Sequence, residues 1–162
     1  TVMAHCIYCN EDENKIIKEK GVMIAHCPTS NENVIAGIAP SAYYLRNGYR
    51  IGLGSDVAGG HTLNLLAVMA SAVQVSKLRT LMNKEYKPLS MVEAFFMATN
   101  LGGTFFGKVG LFEDDYDFDL VVIDDNDEGN PMEFSIEERI ERIAYRENIK
   151  IVSKYSNGNK IL

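Results

Sequence analysis

The chain has 162 residues, of which 46% are hydrophobic and 23% charged, a composition that suits a packed core and excludes disorder. Sixteen Lys and Arg stand against 22 Asp and Glu, a net charge of -6 that argues against binding a phosphate backbone. The excess is local: nine acids and no Lys or Arg lie between Glu113 and Glu128, and the rest of the chain is slightly basic.

Three cysteines, an odd number, point to a reducing compartment rather than a disulfide framework, so a cytoplasmic setting is expected. No apolar stretch reads as long enough to span a bilayer, and no membrane or nucleic-acid partner is expected. The chain opens at Thr1 in an apolar run, with no targeting pattern, and reads as the middle of a longer molecule.

In chain order, Val2-Met3-Ala4 reads as a short strand ending at His5. Asn10 with Glu13 forms a capping-box signature for a helix over Glu11 to Lys20, closed by Gly21. Val22 to Ala25 is a second strand, ending at His26, and Cys27-Pro28-Thr29-Ser30-Asn31 is dense in turn formers. Pro40 suits the first turn of a helix reaching about Asn47, with Gly48 as its stop.

Arg50 to Gly54 is a third strand, running out to Asp56 and the pair Gly59-Gly60. From Leu63 to about Leu81, Leu65, Leu66, Met69, Val73 and Ser76 recur at helical spacing. Ser90 with Glu93 opens a further helix to about Asn100. Beyond it, Leu120 to Ile123 reads as a buried strand interrupting the acidic run. Ile149 to Ser153 and Lys160 to Leu162 flank the hairpin signal Asn157-Gly158. The first part implies parallel strands joined by crossovers; the last forty residues read as an antiparallel layer of their own.

In parallel α/β folds, chemistry gathers at the carboxyl ends of the strands. Three successive strands present His5, His26 and Asp56 there, the ingredients of a metal-assisted or acid/base site. A strand-end histidine is also commonly a structural residue, and spacing alone leaves both readings open.

The strings His26-Cys27-Pro28-Thr29-Ser30-Asn31 and Gly52-Leu53-Gly54-Ser55-Asp56-Val57-Ala58-Gly59-Gly60 resemble the guanine deaminase family of the amidohydrolase superfamily. Thr1 to His5 is similar to that family's strand-six segment, and Leu101-Gly102-Gly103 and Asp119 to Val122 to its later landmarks. The resemblance implies an α/β fold: the C-terminal part of a (β/α)8 TIM-type barrel, strands six to eight over residues 1–107, with 108–162 supplying a return helix and strands of a small composite β domain. It implies hydrolytic loss of ammonia from the purine guanine, giving xanthine, with one zinc ion in the intact enzyme.

On that likeness Asp56 is the strand-eight carboxylate that ligates zinc, faces the substrate and exchanges a proton with the attacking water. His5 is the strand-six histidine that contacts this water and stabilises the developing alkoxide. His26 becomes a loop organiser whose ring nitrogens hold the Thr29-Ser30-Asn31 turn, and His61 a polar residue near a helix start.

The family also needs an His-x-His pair, a further histidine and a glutamate shuttle, and this chain has three histidines and no His-x-His. It is therefore expected to need the missing N-terminal part of the same enzyme, to hold no catalytic zinc alone, and to be inactive alone. A homodimer is implied for the intact enzyme. Ser55, Cys6 and the acids from Glu113 to Asp119 depart from the family pattern.

Three alternatives stand beside this. Cys6 and Cys9 form a C-x-x-C that suits a thiolate zinc site or redox pair. The substrate of a related amidohydrolase could be another aminopurine, a pteridine or a chlorotriazine. A non-catalytic α/β binding module would be favoured if Asp56 were sequestered by Arg46 or Arg50.

Overall fold

The computed structural model describes residues 1–126 and 132–162, so Asp127 and Glu128 of the acidic run lie outside the described residues. Strands β1 (Val2–Ala4), β2 (Met23–His26) and β3 (Ile51–Leu53) form a parallel sheet in that order. Its register pairs Met3 with Ile24 and Ala25 with Gly52.

Helix α1 (Glu11–Glu19) connects β1 to β2, and its capping box is complete: Asn10 accepts from Glu13 N while Glu13 accepts from Asn10 N. Between β2 and β3 lie α2 (Pro28–Asn33) and α3 (Ser41–Arg46). The segment expected to be a turn is thus a short helix with Pro28 in its first turn, where a missing N–H costs nothing. Its Glu32 accepts from Ser71 of a helix beyond β3 at 2.9 Å, a bond that local propensity does not reveal.

That helix, α4 (Leu65–Met82), is 18 residues long and by length and composition apolar enough to cross a membrane, correcting the sequence reading. Some 44% of it is buried in the fold: Met69, Ala72 and Val73 pack into the main core with Ile24, Ile51 and Tyr44. The helix lies against β3, α2 and the later helices, which bury it from Val68 to Val73 and at Val75 and Ser76, while Gln74 stays exposed.

Helix α5 (Met91–Phe96), capped by Ser90 and Glu93, passes directly into a π-helical turn at Met97–Leu101. This turn packs on β3 at a place where two glycines meet: a Cβ on Gly52 would lie 2.9 Å from Gly102 Cα.

The remaining strands, β4 (Leu120–Asp124), β5 (Lys150–Ser156) and β6 (Asn159–Lys160), form a separate antiparallel sheet, with Asn157 and Gly158 both at positive φ in the β5–β6 hairpin. β4 is less covered than expected: Val121 is 51% exposed. Helix α6 (Ile136–Tyr145), which the sequence reading did not place individually, carries a third capping box, Ser135 with Glu138. It packs back on α4 and α5 and buries Ala144 in the main core.

Candidate functional site

The three parallel strands end on one rim, and the chain turns sharply at two of those ends. His5 follows β1 with φ +71° and Asp56 follows β3 with φ +46°. L-residues rarely adopt this left-handed region, and such conformers gather at functional sites. His5 is held there by its own N–H, which donates to Ala25 O at 2.9 Å, and Asp56 by its carbonyl, which accepts from Gly60 N at 2.7 Å.

The turns bring the two side chains together. His5 Nε2 lies 3.7 Å from Asp56 Oδ2, both side chains are about two-fifths exposed, and they line one cavity. It has a volume of ≈ 460 Å³, with Ser30 and Gly59 on its polar side and Ile7 and Val34 as apolar walls. Apolar walls around a few convergent polar groups are the usual make-up of a small-molecule site.

Helix α2 supports both groups. The Ser30 hydroxyl donates to Asp56 Oδ2 at 2.6 Å, and Asn31 Oδ1 lies 2.8 Å from His5 Nδ1. Asn33 Nδ2 donates to Gly59 O at 2.9 Å, tying the same helix to the glycine loop. Ser30 and Asn31 are each 2% exposed, so buried side chains hold open ones. Their partners lie 26 residues away in sequence. The string of turn formers, which also carries the family resemblance, is therefore a short helix whose side chains support both pocket groups.

His26 does not join this pocket. It is fully buried, and neither ring nitrogen hydrogen bonds to any described residue, so the reading of it as an organiser of the Thr29–Asn31 turn is corrected. Burial, with His5 nearby, pushes its pKa down to about 4, leaving a neutral ring packed as part of the core. His61 is exposed and precedes the N-cap Asn64 of α4.

Cys6 is buried and Cys9 half-buried; the Cys6 thiol donates to Met3 O at 4.0 Å, and the Tyr44 hydroxyl donates to Cys6 O at 3.0 Å. Burial first, then Cys9, pushes the Cys6 thiol up to about 12. Among the described residues, no three His, Cys, Asp or Glu side chains cluster as a metal site. Neither arginine sequesters Asp56: Arg46 pairs with Glu93 at 2.8 Å, and Arg50 donates to Gly21 O and Thr104 O. The condition that favoured a non-catalytic module is thus absent.

The Amidohydrolase family profile matches residues 1–159. The chain is 36% identical over 136 residues to the guanine deaminase of Rattus norvegicus, covering 82% of this chain and 30% of that protein. A crystal structure of guanine deaminase from C. acetobutylicum with bound guanine superposes with a TM-score of 0.90 at 45% identity, over 99% of this chain and 39% of that one. A mutant atrazine chlorohydrolase from Arthrobacter aurescens, complexed with zinc and atraton, shares the fold at a TM-score of 0.85 and 21% identity, over 99% of this chain and 36% of that one. The chain thus spans between 30 and 39% of the length of these relatives.

Proposed function

Because the chain belongs to the amidohydrolase family, we propose that it is the C-terminal part of a guanine deaminase, converting guanine and water to xanthine and ammonia. The observation that carries this reading is the pair His5 and Asp56, 3.7 Å apart at the carboxyl rim of a parallel sheet, in a chain 45% identical to a guanine-bound deaminase.

In this reading β1, β2 and β3 are strands six, seven and eight of a (β/α)8 barrel over residues 1–107. Residues 108–162 contribute the β4–β5–β6 sheet to a small β domain, with α6 returning to the barrel. The support is physical. Parallel sheets are normally covered on both faces and closed at their edges. Here β1 and β3 are the sheet's edges, and Val2 and Met3 are 44% exposed, as strands awaiting neighbours from an N-terminal part would be.

Asp56 fits a zinc site as one oxygen ligand, its carboxylate oriented by Ser30 and open to the cavity. With no cluster of three donors among the described residues, the other ligands belong to strands outside this sequence. When bound, zinc would supply a water acidified to a pKa of about 7.

The chain's own residues then divide the work. Asp56 takes a proton from the attacking water and passes it towards the departing amine. His5 Nε2 contacts the same water, accepts a hydrogen bond from it and orients it for attack on the ring carbon. Gly59 leaves space beside Asp56 and Ser30, and Ile7 and Val34 give the cavity apolar walls. The free thiols Cys6, Cys9 and Cys27 support a cytoplasmic setting.

The test is turnover by the zinc-loaded enzyme that carries this segment, assayed on guanine, an aminopurine nucleoside, a pteridine and a chlorotriazine. Guanine is expected to be preferred, and Asp56→Asn or His5→Gln to lower kcat by about 10²-fold or more. A preferred substrate other than guanine, or full activity in Asp56→Asn, would overturn the assignment. The 162-residue chain alone is expected to be inactive and to hold less than stoichiometric zinc.

A further inference from the structure

The imidazole of His5 is asymmetric in its surroundings. Nδ1 faces the amide oxygen of Asn31 at 2.8 Å, and Nε2 faces the cavity and the Asp56 carboxylate at 3.7 Å. A neutral imidazole carries one proton, and the neighbour of one nitrogen decides which nitrogen keeps it. An amide oxygen accepts and cannot donate, so the proton belongs on Nδ1.

We propose that Asn31 is the positioning residue that holds His5 as its Nδ1–H tautomer and turns an unprotonated Nε2 into the pocket. The placement of Asn31 suits this task. It is 2% exposed, and its helix is anchored on three sides: Ser30 to Asp56, Asn33 to Gly59 O and Glu32 to Ser71. These contacts fix the backbone from which the buried Asn31 amide reaches His5. A half-exposed histidine at a left-handed backbone position, by contrast, has little else to fix its ring.

The consequence is a polarity built into the site. An unprotonated Nε2 and a carboxylate oxygen 3.7 Å apart are two acceptors side by side. They repel one another unless a group carrying hydrogens lies against both, so the pair selects for a water molecule or an amine. Its bearing on catalysis rests on the deaminase reading, whereas the tautomer itself is a property of this chain.

The experiment is two-bond 1H–15N correlation NMR of the 162-residue chain at a pH where the imidazoles are neutral, with the His5 signals assigned by their loss in His5→Gln. The expected result is a pyrrole-type Nδ1 and a pyridine-type Nε2 for His5. Asn31→Asp, which keeps the acceptor, is expected to preserve that pattern. Asn31→Leu is expected to abolish it while the His26 and His61 signals stay in place.

A pyridine-type Nδ1 in the unsubstituted chain would overturn the proposal, because the amide nitrogen would then be the group facing the ring. An unchanged His5 pattern in Asn31→Leu would overturn it too. The unsubstituted spectrum is decisive even if the leucine variant fails to fold. A failed turnover assay with the expected tautomer would count against the deaminase reading alone.

Discussion

The Ser30 hydroxyl and the Asp56 carboxylate, 26 residues apart in sequence, meet at 2.6 Å on the rim of the parallel sheet. The contact joins helix α2 to the loop after β3. The cavity wall is therefore braced from the side as well as from below.

Gly59 guards that brace. A Cβ at this position would stand 2.5 Å from Ser30 Oγ and 3.0 Å from Asp56 Oδ2, displacing both. Gly59→Ala is expected to reduce kcat of the complete enzyme by about 10²-fold, since misplacement near 1 Å costs roughly that much. Steady-state kinetics with circular dichroism as the folding control checks it, and unaltered kcat would contradict the geometry.

Ser76 is a buried hinge of hydrogen bonds rather than the apolar position its spacing implies. Its hydroxyl donates to Val73 O at 2.8 Å and accepts from Leu89 N at 2.9 Å. Ser76→Ala leaves the Leu89 N–H buried without its acceptor and is expected to cost about 1–3 kcal/mol in urea unfolding. A neutral result would mean that the α4–α5 connection relaxes to pair it elsewhere.

His26 makes stability depend on acid. Its folded pKa, lowered to about 4 by burial, lies below the ordinary 6.5, so the unfolded chain binds the proton more readily. The contribution is fully present above pH 6.5 and is lost as pH falls towards 4, on the order of 3 kcal/mol in all. Measured from pH 7 to 4, the unfolding free energy of the chain is expected to fall relative to that of His26→Leu as the medium becomes acidic. Parallel curves would show that His26 titrates alike in both states.

The thiols should differ in reactivity. Burial pushes Cys6 up to about 12, and burial together with the Asp56 charge pushes Cys27 up to about 11, whereas Cys9 is half-buried. Alkylation of the native chain at pH 8, read by peptide mass, is expected to label Cys9 first and the other two only on unfolding. Equal labelling at all three would contradict the packing around Tyr44.

Much of this was legible in the residues. Asn10–Glu13 and Ser90–Glu93 marked two helix starts, and short apolar runs ending at His5, His26 and Asp56 marked the strands and their rim. Ser135–Glu138 is the same signature and would have located α6, had the hairpin after it not dominated the reading. The supporting role of Ser30 and Asn31 was not legible, because it depends on partners brought near only by parallel pairing of β1, β2 and β3. His26 misled for the converse reason: a histidine after an apolar run looks identical whether its ring points into a pocket or into the core.

Gly52 and Gly102 put strand and π-helical turn into backbone contact with no side chain between them. The separation between β3 and this turn is set there, four residues upstream of the Asp56 carboxylate. Bulk introduced at position 52 would press on the Gly102 backbone, whereas a Cβ at position 102 would meet Met97 O of its own helix at 3.1 Å. Position 52 is thus a calibrated gap, through which a substitution outside the pocket can retune the site without entering it.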